Sequence, residues 1–209
     1  MTISTVTERL AHIASKLQAA RDRRCTPFGS ESHGMICRAP LSVHEVRKIE
    51  ELHQVTLPAE YRAFITCIGD GGAGPAYGMH SLRKASVLAR AYIADQFLST
   101  PFPHVVAYNS ADIGEADLDE LPNDQVEKHE AFEATGTIAL CDEGCGYEHL
   151  LIVSGAAKGT IWLDARVSDG GFHPRGVGFL DCTKDGLTIH CSAEAASGGV
   201  RLVSKQRSR

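Results

Sequence analysis

The sequence predicts an α+β fold in which a mainly antiparallel sheet is flanked by helices. Three short apolar runs, at residues 138–141, 150–153 and 160–163, are separated by glycine-containing turns, a pattern typical of an antiparallel meander. The middle run has four consecutive apolar residues, so we expect a central strand that is covered on both faces. Segments with helical periodicity precede these runs, and we expect them to pack on the sheet.

The first helix is predicted at residues 5–24. Thr5 and Glu8 fit a capping box at its start, and the arginines near its end suit the negative pole of the helix dipole. Residues 25–40, rich in glycine, proline and serine, are predicted to form a loop. The apolar residues of the helix recur every three or four positions, as a buried face requires: Val6, Leu10, Ile13 and Leu17.

Two further helices are predicted before the sheet. The second spans residues 43–53, with Ser42 as N-cap and Glu45 completing a capping box. The third begins at Pro58, which is favoured at the first helical position, and we expect Gly69 to end it in the left-handed conformation. The apolar side of the second helix is expected to consist of Val43, Val46 and Ile49.

Residues 69–82 form a glycine-rich segment that is predicted to be a flexible turn followed by a strand. A phosphate-binding loop is not favoured, because no lysine and hydroxyl pair follows the glycines and a helix, not a strand, precedes them. A short helix is expected at residues 86–97.

An acidic segment at residues 108–135 is the sharpest change in composition. Nine carboxylates lie between positions 112 and 133 against one lysine, whereas the whole chain has a net charge of −5. We predict a solvated loop or disordered excursion; the alternative is an acidic arm that attracts a basic partner. The candidate partner-binding residues in this segment are Asp112, Glu115, Asp117, Asp119 and Glu120.

Composition excludes several functional classes. A net charge of −5 and a pI near 6.0 argue against nucleic-acid binding, which requires a basic surface. No apolar run is long enough for a membrane span and no secretory signal is recognisable, so we expect a cytosolic protein. The seven cysteines are then expected to be mainly free thiols, and we predict no cofactor.

Two chemical alternatives centre on the turn after the first apolar run. Cys141, Cys145 and His149 are spaced four and four, which would suit zinc on a helix, but Gly144 and Gly146 argue against a helix there. Cys145 could instead be a nucleophile with His149 or His173 as its base.

We favour recognition over catalysis at this turn. Its candidate partner-binding residues are Asp142, Glu143, Tyr147 and His149. Trp162 lies on an alternating strand, and packing in the core is favoured over service as an exposed interface anchor.

The chain is similar to the SUKH superfamily, named partly after fungal cell-wall-synthesis regulators of the Smi/Knr type, over residues 41–181. The resemblance rests on Glu50 ahead of Leu57 and Pro58, on the sequence YRAF followed by GDGG, on GMHSL, and on the strand-rich part with EGCGY, LLIVSG and Trp162. Family members commonly end with an apolar and aromatic helix after a start like Phe179-Leu180-Asp181. Here we expect that helix to be missing, because a tail rich in glycine and serine follows.

This resemblance implies a non-enzymatic protein-binding domain. It implies an immunity protein that neutralises a polymorphic toxin, such as a basic nuclease domain, by direct binding; an intracellular scaffold or regulator is the alternative, and a small cysteine or zinc enzyme is the second alternative. The predicted organisation is a helix and loop extension at residues 1–40, a SUKH-like domain at 41–185 with the acidic insertion at about 108–135, and an irregular tail at 186–209. A strand is expected at 187–191, and the last ten or so residues are expected to be mobile.

Overall fold

The sheet has four strands. The computed structural model describes residues 5–23, 27–85, 96–110 and 122–187. Neighbouring strands pair antiparallel in chain order, which confirms the predicted meander and the α+β class. The strands are β1 (Thr137–Gly144), β2 (Tyr147–Ile152), β3 (Thr160–Asp164) and β4 (Phe172–Gly178).

Both faces of the sheet are covered. Leu151 and Val153 belong to the larger apolar core on the first face, whereas Leu150 and Ile152 belong to a smaller aromatic core on the second face. Alternating residues of a strand point to opposite faces, so a run of four apolar residues contributes to both cores. The predicted central position of β2 is therefore confirmed, as is the burial of Trp162, which is 1% exposed on the second face.

The first three helices form where the sequence predicts them. Both capping boxes are present, with Thr5 and Glu8 at the first helix and with Ser42 and Glu45 at the second. Five α-helices are described along their whole length, namely α1 (Val6–Asp22), α2 (Val43–Leu52), α3 (Ala59–Cys67), α4 (Asn123–Glu133) and α5 (Phe179–Gly186). Residues 82–85 are also helical and border residues outside the described part of the chain. Of the predicted apolar positions, Val6 and Val43 lie at the exposed edge of their helices rather than in the core.

Two glutamates fix the helix layer on the first face. Glu50 accepts a hydrogen bond from the Leu57 N–H at 3.0 Å and pairs with Arg62 at 3.4 Å, which sets the connection between α2 and α3. Glu60 contacts Arg9 of α1 and accepts the Leu180 N–H of α5 at 3.1 Å. Because its carboxylate joins three helices, α1 packs as part of the same layer as α3 and α5.

Gly69 does not end α3 in the left-handed conformation, so that prediction is wrong. Pro58 is the N-cap, and Ile68 closes the helix with a right-handed backbone. Gly69 is needed for a different reason, because a Cβ there would lie 2.4 Å from the carbonyl oxygen of Arg38. The left-handed positions follow at Gly71 and Gly72.

The glycine-rich segment makes isolated bridges rather than the predicted strand. Met79 pairs with Gly72 on one side and with Cys141 of β1 on the other. Most of the helix predicted at residues 86–97 lies outside the described residues.

The predicted absence of a helix after Phe179 is wrong. α5 begins there, and Phe179, Leu180 and Thr183 are buried against α1 and α3. The Thr183 hydroxyl donates to the Phe179 carbonyl at 2.8 Å, so a small polar residue fits inside this helix without losing its hydrogen bond. The predicted strand at 187–191 and the tail lie almost entirely outside the described residues, which end at Leu187.

The acidic segment is not a loop throughout. Residues 111–121 lie outside the described residues, but residues 123–133 form α4, a correction to the predicted loop. Pro122 caps the start of α4, and Ala131 and Glu133 are its buried residues near the end.

In the described part of the chain, we find no helix with the length and hydrophobicity that a membrane crossing requires.

Candidate functional site

The turn between β1 and β2 carries the second group of predicted partner-binding residues. Asp142, Glu143 and Tyr147 are half-buried at this turn. The Asp142 carboxylate accepts the Gly144 N–H at 2.6 Å, and the Tyr147 hydroxyl donates to Ser168 Oγ at 2.8 Å. His149 does not belong to the surface as predicted, because the strand alternation places it in the interior, where it is 3% exposed.

His149 lies between Cys141 and Glu143. Its Nδ1 is 3.4 Å from Cys141 Sγ, and its Nε2 is 2.9 Å from Glu143 Oε1, within ion-pair distance but not aligned as a hydrogen bond. This order of thiol, imidazole and carboxylate matches the nucleophile, base and orienting group of cysteine hydrolases. The thiol and the imidazole are adjacent because Cys141 on β1 pairs with His149 on β2.

The electrostatics of this cluster oppose nucleophilic chemistry. Burial raises the pKa of the Cys141 thiol, and nearby Cys182 and Glu143 add to the effect. Burial also lowers the pKa of His149, and Glu143 opposes this shift in part. Both shifts favour a neutral thiol beside a neutral imidazole, whereas an active nucleophile requires a thiolate. Cys141 is also fully buried, so no substrate reaches its sulfur.

The alternative nucleophile, Cys145, is exposed at the turn with a positive φ of 54°. Neither proposed base contacts it among the described residues, since His149 faces Cys141 and His173 Nε2 lies 2.6 Å from the Gly170 carbonyl oxygen. Within the described ranges, no group of three or more His, Cys, Asp or Glu side chains is arranged to hold a metal ion.

An exposed aromatic pair borders the same turn. The rings of Phe28 and Tyr77 meet edge to face at 5.2 Å, with 70% of Phe28 and 37% of Tyr77 exposed. The Tyr77 N–H donates to the Asp142 carbonyl at 3.3 Å. Gly144 lets the turn approach closely, because a Cβ there would lie 3.0 Å from the Tyr77 ring. Exposed aromatic side chains of this kind often act as interface anchors.

On the other side of the turn lies a groove of about 840 Å³, which we call the acidic groove. Its floor is the second face of the sheet, at Thr137, Ala139 and Leu150. α4 forms one wall, and Ala85 also lines the groove. Its carboxylates come from α4 and from the ends of β2 and β3: Glu127, Glu130, Glu148 and Asp164.

Arg166 is the one cation among the described residues that line the acidic groove, and its charge is already matched. Its guanidinium donates to both Asp164 oxygens, at 3.0 and 2.7 Å, and to the Glu130 carbonyl at 2.8 Å. It also lies 4.5 Å above the Phe172 ring. Burial lowers the pKa of Arg166, but the hydrogen bonds and charge of Asp164 outweigh this and raise it overall. The lining therefore carries four carboxylates and one guanidinium, a net charge of −3.

The sequence predicts this region only in part. The five candidate acids at positions 112, 115, 117, 119 and 120 lie outside the described residues. Glu127 and Glu130 belong to the same acidic segment but were not among the predicted residues, and their i and i+3 spacing on one helix face is the signal that could have found them. Glu148 and Asp164 were also missed, although they lie directly opposite each other in the sheet.

Comparison with protein-family models, with curated proteins and with solved structures finds no match to this chain.

Proposed function

We propose that this chain is a non-enzymatic binding protein that recognises a basic protein partner through the acidic groove. The observation that carries the proposal is that Glu127, Glu130 and Glu148 line one groove, where the single guanidinium of Arg166 does not balance their charge. Carboxylates around a concave surface attract a cationic partner and raise its association rate. Val167, which also lines the groove, is 58% exposed and supplies apolar area that a partner can desolvate.

We further propose that the protein acts in the cytosol as an immunity protein that neutralises a polymorphic toxin. The support is the resemblance of residues 41–181 to the SUKH superfamily, in which such partners are common. A toxin that binds nucleic acid has a basic substrate-binding face, and the acidic groove would complement that face. A scaffold or regulator that binds another basic protein would use the same groove.

The side chains that were candidates for catalysis support an enzymatic function less well than the acidic groove supports binding. Cys141 is buried beside a neutral His149, and Cys145 has no imidazole beside it among the described residues. The aromatic pair, Phe28 and Tyr77, is more naturally explained by binding, because its exposure contributes nothing to the core.

The test is co-expression with the toxin domain encoded beside this gene. We expect the wild-type chain to restore growth and the double variant E127K/E130K to fail. The matched control is E51K, an exposed acid on α2, which should still restore growth. If the wild-type chain neutralises no neighbouring toxin, the immunity proposal is wrong. If E127K/E130K protects as well as the wild-type chain does, the acidic groove is not the binding site.

A further inference from the structure

Exposed apolar side chains lie on both sides of the turn between β1 and β2. On one side is the aromatic pair of Phe28 and Tyr77, which approaches the turn at Gly144 through the Tyr77 ring. On the other side is Val167, which approaches the turn at Gly146, where a Cβ would lie 2.8 Å from a Val167 methyl group. All three side chains are exposed. An apolar strip, which consists of Phe28, Tyr77 and Val167, therefore crosses this turn.

The backbone beneath the aromatic pair is held in place by close contacts. Gly29, which follows Phe28, has a φ of 76° and packs so closely on the Ala76 carbonyl that no Cβ would fit. The Tyr77 N–H donates to the Asp142 carbonyl of β1 at 3.3 Å. An apolar side chain on a fixed backbone loses little conformational entropy when a partner binds, so the exposure of this pair suits recognition.

The apolar strip continues into the acidic groove. Gly146, Glu148 and Val167 all line the groove. Gly144, beside Tyr77, precedes Glu148 by four residues, so their Cα atoms lie at most about 14 Å apart. A standard protein interface covers roughly 800 Å² on each partner, which corresponds to a patch about 30 Å across. A single partner surface is therefore large enough to cover the aromatic pair and the end of the groove at Glu148.

We infer that the partner's contact surface crosses the turn between β1 and β2, with its cations at the acidic groove and an apolar side chain against the aromatic pair. The inference rests on the proposed function, because it extends the interface of the same basic partner. It specifies a basic protein surface that carries an exposed apolar side chain within roughly 20 Å of its cations. The two halves of the interface act differently, because carboxylates accelerate association over a distance, whereas apolar burial slows dissociation.

Alkylation of exposed thiols tests whether the partner covers the turn. Cys145 is exposed at the centre of the turn, and Cys67 is exposed at the end of α3 and serves as an internal control. When the wild-type chain is saturated with the toxin domain encoded beside this gene, alkylation of Cys145 by iodoacetamide should slow about tenfold, as read by mass spectrometry. The rate at Cys67 should not change. An unchanged rate at Cys145, or equal protection of both thiols, would overturn the inference.

The rate constants of binding separate the two halves of the interface. F28S should raise the dissociation rate constant about tenfold and leave the association rate constant within about twofold of the wild-type value. E127Q/E130Q should instead lower the association rate constant, by about fivefold at low salt. F28L keeps an apolar side chain and should dissociate much more slowly than F28S. The matched control is L52S, which changes an exposed apolar residue of α2 and should alter neither rate constant.

The outcomes distinguish this inference from the proposed function. If E127Q/E130Q slows association but F28S dissociates at the wild-type rate, the partner does not contact the aromatic pair. The inference is then wrong, while the proposed function stands. If the toxin domain does not bind the wild-type chain, the proposed function is wrong and the inference is wrong with it.

Discussion

Replacing Arg166 with methionine should detach α4 from the sheet and thereby open one wall of the acidic groove. The variant R166M keeps the aliphatic stem but removes the hydrogen bonds to Asp164 and to the Glu130 carbonyl, as well as the stacking on Phe172. It also removes a cation that lies 3.9 Å from the carboxylate of Glu133, whose side chain is 5% exposed.

The expected cost follows from these contacts. A hydrogen bond to a charged group contributes roughly 1.5–3 kcal/mol, and a partly exposed cation–π contact about 0.5–1 kcal/mol. Arg166 is 31% exposed, so solvent weakens its ion pairs, and we expect R166M to lower the free energy of unfolding by about 3 kcal/mol. R166K keeps the charge but not the two-point contact with Asp164, and it should cost about half as much.

Urea denaturation of the wild-type chain, R166M and R166K measures these differences. Amide hydrogen exchange then locates the effect, because exchange in α4 should accelerate in R166M while exchange in β2 and α3 follows the global stability alone. The reasoning that Arg166 holds this wall would be refuted if R166M lowered the free energy of unfolding by less than about 0.5 kcal/mol and left exchange in α4 unchanged. Such a loss is smaller than the contribution of a single hydrogen bond to a charged group.

Three further outcomes are expected. Cys145 should react with iodoacetamide in the folded protein, whereas Cys141 should react only after unfolding, as mass spectrometry of the labelled peptides would show; rapid labelling of Cys141 would contradict its burial. Burial lowers the pKa of His104 and His149, so below pH 6.5 the unfolded chain takes up protons that the folded chain does not. The free energy of unfolding should therefore fall from pH 7.5 to pH 5, with a shallower fall in H149Q, and an unchanged slope in that variant would be the contrary result. F28S should weaken partner binding but leave the urea midpoint within error, and a large loss of stability would mean that Phe28 is structural.

The parts of the fold with strong local signals could be predicted from the sequence. Thr5 with Glu8 and Ser42 with Glu45 are capping boxes that satisfy backbone donors locally, whatever the rest of the chain does. The meander was likewise predictable, because glycine turns separate apolar runs of strand length.

Elements held by distant partners could not be predicted. The sequence of β4 lacks the apolar alternation of a strand and contains Pro174 and Gly176. These residues are tolerated because β4 lies at the edge of the sheet. α4 has no apolar stripe, and a main link to the sheet is Arg166, which lies 36 residues after Glu130. α5 is short, and its burial depends on α1 and α3.

The acidic groove could not be predicted from the sequence for the same reason. Its carboxylates come from α4, β2 and β3, and they converge only when those elements fold together. The high density of acids in residues 108–135 indicates a solvated loop or an acidic arm for a basic partner, and the partner stays a prediction. No local pattern places Glu148 and Asp164 with Glu127. The prediction for His149 was wrong for a related reason. Its position near a turn suggested an exposed side chain, whereas its pairing with β1 places it in the interior.

The central claim is that the acidic groove binds a basic protein. The most direct measurement is the Kd of the purified chain for the toxin domain encoded beside it, by calorimetry, with E127K/E130K and with the control E51K. Each exposed pair contributes roughly 0.5 kcal/mol and its reversal adds similar repulsion, so the double variant should lose about 2 kcal/mol, or about 30-fold in Kd. The control should change the Kd less than twofold. Equal Kd values for E127K/E130K and the wild-type chain would contradict the claim.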